Sequence, residues 1–324
     1  MLADLGTAIK EVATGKGYFV AGVEELLRKL PKGNWIGGTI PYFMDAAGGV
    51  VSKDRVFLTP CPAQAAGSNV AWYSEGELPR ITRDAPDNGF TVLIIPATSP
   101  AHVTYARNAP NYSDIFMRPI IGWISGVDLA DLGKISPKVF NGKTGEWSDQ
   151  KAIAMHVSLP PGKLASIGIV NLFSQGNGDA ITFDEEGFVV RDCLIAGKKT
   201  NFADYLLARK VDTKLPLVAD YCGTAVNVSF QGIDEKEKTV ALYAPVFKGV
   251  EYRIAEPIKD YVREFGARMP AGSVNPVFSC NCILNFLYSH LEGKKTGSIV
   301  GPITFGEIAY QLLNQTLTYL EIKG

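Results

Sequence analysis

Apolar and polar positions in this chain follow two periods, one helical and one extended. Val23, Leu26, Leu27 and Leu30 stand at i, i+3, i+4 and i+7, the spacing of one helix face, so a short amphipathic helix is expected there. Pro31-Lys32-Gly33-Asn34 stops it. Residues 7–18 read equally as helix or strand. Trp35-Ile36-Gly37-Gly38-Thr39-Ile40-Pro41 predicts a strand running into a tight turn, where paired glycines let the backbone approach a neighbour or a ligand. Residues 56–59 predict another strand. Residues 90–96 are apolar without interruption, as in a strand buried on both faces, and Ser99-Pro100 then caps and opens a helix. Pro119-Ile120-Ile121-Gly122-Trp123-Ile124-Ser125-Gly126 is a second glycine-containing apolar stretch. Val139-Phe140-Asn141-Gly142 predicts a strand into a turn.

Two hairpins are expected next. One joins 152–159 to 164–173 through Pro160-Pro161-Gly162-Lys163, and the other joins 180–183 to 188–195 through Asp184-Glu185-Glu186-Gly187. Asn201 can cap a helix reaching Arg209. Residues 215–219, 225–230 and 239–246 predict strands. Residues 255–268 predict a helix, with Ile258, Tyr261, Val262 and Phe265 on one face. The strand and helix order implies an α/β chain of two fused lobes, 1–200 and 201–324, each a mixed sheet with helices packed outside.

The densest pattern runs from residue 275 to 320. Asn275-Pro276-Val277-Phe278-Ser279-Cys280-Asn281-Cys282 predicts a strand ending at two cysteines. A helix follows, with Ile283, Phe286, Leu287 and Leu291 near helical spacing and Gly293 as its stop. Gly301 and Gly306 bracket a turn that carries Glu307, with residues 308–312 as a possible short helix. Thr316 and Thr318 then alternate with Leu317 and Tyr319 in a final strand. A strand end, a helix start and a glycine-rich turn can enclose a small concave site.

The chain has 324 residues, enough for a large core. Its formal net charge of -1 gives no general attraction to nucleic acid or acidic membranes, so neither partner is expected. No basic, apolar leader opens the sequence and no apolar run reaches membrane-spanning length. The five cysteines, Cys61, Cys193, Cys222, Cys280 and Cys282, are odd in number and sparse, which fits a reducing cytoplasm.

The order of these segments resembles the FIST domain family of intracellular signal-transduction modules. Trp35-Ile36-Gly37-Gly38-Thr39 resembles its early glycine turn. Pro119-Ile120-Ile121-Gly122, Val139-Phe140-Asn141-Gly142, Ala180-Ile181-Thr182 with Phe188-Val189-Val190, and Phe247-Lys248-Gly249-Val250 resemble its internal segments. Phe278-Ser279-Cys280, Gly301, Phe305-Gly306-Glu307-Ile308 and Asn314-Gln315-Thr316-Leu317 resemble its C-terminal signature. The resemblance covers nearly the whole chain and implies a sensory protein that binds a small ligand, with haem as a possible cofactor and a signalling protein as a possible partner. The family's arginine after the cysteine is replaced here by Asn281-Cys282. A guanidinium clamps carboxylates, so its loss at this position implies a softer, less charged pocket.

The candidate ligand-binding set is Cys280, Cys282, Glu307 and Asn314, with backbone from Gly37, Gly38, Gly301 and Gly306. Cys280 and Cys282 would share one side of a strand. Their roles remain open between burial, ligand or redox contact, and nucleophilic catalysis. The last would make a thiol-dependent hydrolase or transferase and would need a base, for which His102, His156 and His290 are the histidines available. Zinc would need more Cys or His nearby. A haem ligand could come from a histidine or a cysteine. Glu307 and Asn314 can each serve as a cap or as a ligand contact. The acidic run 184–186 is a turn tip, and no phosphate or dinucleotide fingerprint is present.

Overall fold

A computed structural model describes residues 1–221, 223–268 and 276–324. Cys222 and Asn275 lie outside the described residues. The fold is α/β with mixed sheets, 42% strand and 18% helix, so sheet packing rather than helix packing builds its core. The chain divides into two compact units. The first comprises 1–170, 265–312 and 316–324; the second comprises 171–264 and 313–315. This differs from a single division at residue 200, because the last strand and the cysteine strand return to sheets begun by the N-terminal half.

The first unit holds three six-stranded sheets. One contains Leu2–Asp4, Arg55–Pro60, Tyr18–Gly22, Trp35–Thr39, Val139–Asn141 and Glu146–Ser148. Tyr18–Gly22 runs parallel to Trp35–Thr39. Their link carries the helix Glu24–Leu27, which buries Leu26 and Leu27 against the sheet. The helix is one turn long, shorter than the apolar spacing predicts, because Leu30 is buried beyond its end and Pro31 blocks continuation. The ambiguous N-terminal stretch is a helix, Leu5–Val12, capped by Asp4, followed by the Tyr18–Gly22 strand.

The second sheet contains Gln311–Leu313, Glu307–Ala309, Ile120–Ser125, Gly89–Pro96, Ala152–Ser158 and Gly67–Tyr73. Gly89–Pro96 and Ile120–Ser125 are parallel. The helix Pro100–Asn108 lies between them in sequence, with the Ser99 hydroxyl accepting from the His102 N–H at 3.1 Å, as the sequence predicts. All eight residues of Gly89–Pro96 are buried, which accounts for the unbroken apolar run. The third sheet contains Leu164–Asn171, Thr316–Lys323, Phe278–Cys282, Gly301–Thr304, Tyr42–Asp45 and Gly48–Val51. Phe278 joins the cores of the sheets: its ring meets Phe19 edge-on at 5.9 Å and stacks on Trp123 at 5.6 Å. Such aromatic pairs add about 1 kcal/mol each beyond their buried area.

The second unit holds a six-stranded sheet and a three-stranded one. The first is ordered Lys198–Asn201, Asp192–Ile195, Ile181–Thr182, Tyr252–Ile254, Leu217–Tyr221, Thr224–Val228, and the second Gly187–Val190, Thr239–Val246, Phe230–Asp234. The helix Phe202–Ala208 starts at Asn201, whose side chain accepts from the Asp204 N–H. Phe183 packs edge-on to Phe202 and Tyr252 at 5.3 and 5.8 Å.

Four local expectations are corrected. Segments 152–159 and 164–173 form no hairpin, since Ala152–Ser158 pairs with Gly67–Tyr73 and Gly89–Pro96. A strand this buried needs a neighbour on each edge, and Pro160-Pro161 cannot continue a ladder. Residues 188–195 divide at Arg191: Gly187–Val190 pairs with Thr239–Val246, whereas Asp192–Ile195 pairs with Ile181–Thr182. The helix expected from 255 starts at Tyr261, because Pro257 disfavours helical backbone before it and the Ala255 N–H is donated to Pro216 O. Residues 308–312 are strand, reversing at Tyr310 with φ 64°. Among the described residues no helix is long and apolar enough to cross a membrane.

Candidate functional site

The structure brings Cys280, Cys282 and Glu307 together. Cys280 and Cys282 lie on one side of the Phe278–Cys282 strand, with Thr318 opposite Cys280 and Thr304 beside Cys282. Glu307 pairs with Trp123 across the second sheet. Its Oε2 accepts from the N–H and hydroxyl of Thr316, at 3.2 and 2.9 Å. Burial pushes the Glu307 carboxyl up to about 8, against the opposing effect of bonds from Thr316, Cys282 and Thr304. The Cys280 thiol sits 3.2 Å from both Gly122 O and the Thr318 hydroxyl. Burial, reinforced by the nearby Glu307, raises its pKa and holds it as the thiol.

This arrangement is a polar layer closed to solvent. Cys280, Cys282, Glu307, Thr304, Thr316 and Thr318 are each at most 1% exposed, and neither cleft described below is lined by them. The predicted glycines serve close packing. A side chain on Gly38 would meet Ile94 at 2.7 Å and Trp123 at 3.0 Å, and one on Gly301 would meet Ser279 O. On Gly37 it would crowd Val20 O at 3.0 Å. The Gly306 carbonyl accepts from Ile124 N–H and the Thr304 hydroxyl. Asn314 belongs to the second unit, where its carbonyl accepts from Asn227.

The histidines are placed elsewhere. His156 is buried, with Nε2 2.8 Å from the Tyr73 hydroxyl and Nδ1 2.8 Å from that of Thr91. Burial lowers its pKa to about 4, so it is neutral at ordinary pH. His102 Nδ1 accepts from the Thr98 N–H, and His290 follows the helix Ile283–Tyr288 with φ 49°. Among the described residues no group of three or more His, Cys, Asp or Glu could hold a metal ion.

An open site lies where the parallel strands of the first unit end. Tyr18–Gly22, Trp35–Thr39 and Ile120–Ser125 lead into Val23, Ile40 and Gly126. The backbone ties these ends together: Ile40 N–H donates to Gly22 O at 3.0 Å and Gly126 N–H to Thr39 O at 2.7 Å. Above them is a cleft of about 480 Å3, walled by Val23, Ile40, Pro41, Val127 and Ile135. Gly126 is required by packing, since a side chain there would overlap the Phe305 ring at 2.4 Å. Strand ends of this kind are where open α/β sheets receive ligands.

Ion pairs edge the cleft. Glu24 Oε1 receives Arg28, with Nη2 at 2.6 Å, and Oε2 receives Lys138 Nζ at 2.7 Å. Burial works to raise the Glu24 pKa, but these two cations outweigh it and hold the carboxyl below its ordinary value. Lys53 lies 2.7 Å from Asp128 and 3.4 Å from Asp131. The Lys53 bond, with the Ala130 N–H, keeps Asp128 ionised below the usual carboxylate range. Trp147 carries Arg28 over its ring at 4.6 Å and Lys138 at 5.4 Å. Sequence reading missed this set, which is scattered from residue 23 to 147. The one legible trace was Glu24 and Arg28 at i and i+4 on the short helix.

A second cleft, of about 940 Å3, is lined by Lys16, Asn34, Cys61, Gln64, Pro276 and Phe278 among others. Burial pushes its Cys61 thiol up to about 12.

Fold and cleft together define an α/β protein with a charged-rim cleft at parallel strand ends. Residues 3–323 match the model described as "Family of unknown function (DUF6976)". The chain belongs to that family, and the resemblance to the FIST domain family is corrected by this match, which spans nearly the same residues. No curated protein matches the chain.

Proposed function

We propose that the protein binds a small organic molecule in the cleft at the ends of Tyr18–Gly22, Trp35–Thr39 and Ile120–Ser125. The observation that carries this reading is the composition of the cleft: five apolar side chains, Val23, Ile40, Pro41, Val127 and Ile135, beside charged groups held in ion pairs. Small-molecule sites combine these two features, the apolar wall supplying affinity and the polar groups orientation. The cleft favours binding over catalysis. None of its lining residues is a histidine or cysteine, and its inner carboxylates, Glu24 and Asp128, are held ionised in ion pairs. A general acid at neutral pH would need a raised pKa instead.

The segment 127–136 borders the cleft and leaves Leu132 and Ile135 half exposed, at 51% and 46%. It is fixed at one end by Lys53 and by the Tyr42 hydroxyl, which accepts from the Leu129 N–H at 3.1 Å. A bound molecule would cover Ile135, adding apolar burial to the affinity.

The test is a fragment soak of crystals of the full chain, repeated with Ile135→Trp to fill the cleft. Fragments in the cleft of the parent, absent from the variant, are the expected result. Fragments that gather only elsewhere, such as beside Cys61, would overturn the assignment.

A further inference from the structure

We infer that the cleft selects an organic monocarboxylate with an apolar body, oriented by Arg28 and Lys53. This rests on the binding role proposed above and adds the chemical class. Every oxygen of the two inner carboxylates is engaged by at least one donor. Glu24 Oε1 takes Nε and Nη2 of Arg28, and its Oε2 takes Lys138. Asp128 Oδ2 takes Lys53, and its Oδ1 takes the Ala130 N–H at 3.0 Å and the Tyr42 hydroxyl at 3.5 Å. The other two carboxylates of the lining stand further out. Glu25 is 78% exposed and paired with Lys29, and Asp131 is 33% exposed and shares Lys53.

The cations, by contrast, keep donors in reserve. A guanidinium carries five N–H groups and an ammonium three. Glu24 occupies only Nε and Nη2 of Arg28, and two aspartates occupy Lys53. Two bonds to Glu24 Oε1, with the Trp147 ring 4.6 Å from the guanidinium carbon, hold Arg28 in place at the cleft edge. A ligand entering the cleft therefore meets apolar side chains and free donors, which a carboxylate accepts in the planar geometry a guanidinium presents. A phosphate dianion would bring a second charge toward Glu24, Glu25, Asp128 and Asp131, and an amine would compete with the Arg28, Lys138 and Lys53 cations that already hold the inner carboxylates.

The experiment measures affinities of the full chain for butanoate, hexanoate, octanoate and phenylacetate, each beside its primary amide and its amine. Hexanoyl phosphate serves as the dianionic probe. The carboxylates are expected to bind at least about tenfold tighter than the matching amides, and to tighten with chain length. Arg28→Gln and Lys53→Gln should each reduce the preference for carboxylate over amide by several-fold. Both side chains are largely exposed at their ends, so folding should survive, and circular dichroism checks it. Amines or the phosphate binding as well as carboxylates would overturn the inference, as would a preference unchanged in both variants. If no member of the series binds but crystallographic fragments occupy the cleft, the chemical class is wrong and the binding role stands. If fragments also miss the cleft, the binding role itself fails.

Discussion

Glu307 offers the sharpest test of the interior, because its ionisation is coupled to folding. In the folded chain its pKa is raised from the ordinary 4.5 to about 8 by burial. The unfolded chain, exposed to water, ionises it near the ordinary value. Between these limits the unfolded state releases a proton that the folded state retains, so stability falls as pH rises. The contribution is fully present below about pH 4.5, declines by about 1.4 kcal/mol per pH unit, and is lost above about pH 8. The whole interval amounts to roughly 5 kcal/mol, large against a typical stability of about 5–15 kcal/mol. Glu307→Gln keeps the shape and the acceptor for the Thr316 N–H and hydroxyl but cannot ionise. Urea unfolding of parent and variant, measured from about pH 5 to about pH 8.5, isolates the residue, since the other titrating groups are common to both. The stability difference, parent minus variant, should fall by several kcal/mol across the range and then level off. Parallel stability curves for the two proteins would refute the reasoning.

Two further outcomes follow from packing and thiol burial. Gly122→Ala should destabilise the first unit by about 3 kcal/mol or more, because the added carbon would lie 1.7 Å from Leu93 O in the adjoining parallel strand; thermal unfolding matching the parent would contradict this. Cys280 should resist iodoacetamide near neutral pH in the folded chain and react only on unfolding, since the thiol is buried and its pKa raised, as peptide mass mapping can show. Fast native-state alkylation at Cys280 would restore the thiol-dependent enzyme as the better reading.

The clearest sequence signals were local ones. The uninterrupted apolar run at 90–96 became a fully buried strand, and Ser99 and Asn201 became helix caps, because each depends on side chains within a few residues. The cysteine strand and the helix after it were also legible, from a short apolar run followed by helical spacing. Strand pairing was not. Segments joined by a short proline turn were expected to pair, yet Ala152–Ser158 and Leu164–Asn171 lie in different sheets. Periodicity specifies which face of a strand is buried, but it does not identify the partner strand.

The same limit governs the functional residues. Sequence alone brought Cys280, Cys282 and Glu307 into one group, since they flank a single strand end and turn. It could not tell an open site from a buried one, because solvent access depends on how opposing sheets close over those side chains. Tertiary structure closed the group off from solvent, with Thr304, Thr316, Thr318 and Trp123 as its neighbours. It also assembled the cleft rim from Glu24, Arg28, Lys53 and Asp128, backed by Lys138 and Trp147, residues spread over more than a hundred positions with no common motif. They meet because strand pairing brings the loops after Tyr18–Gly22 and Ile120–Ser125 and the starts of the antiparallel strands Arg55–Pro60 and Val139–Asn141 to one end of the sheets, whatever their separation in the chain.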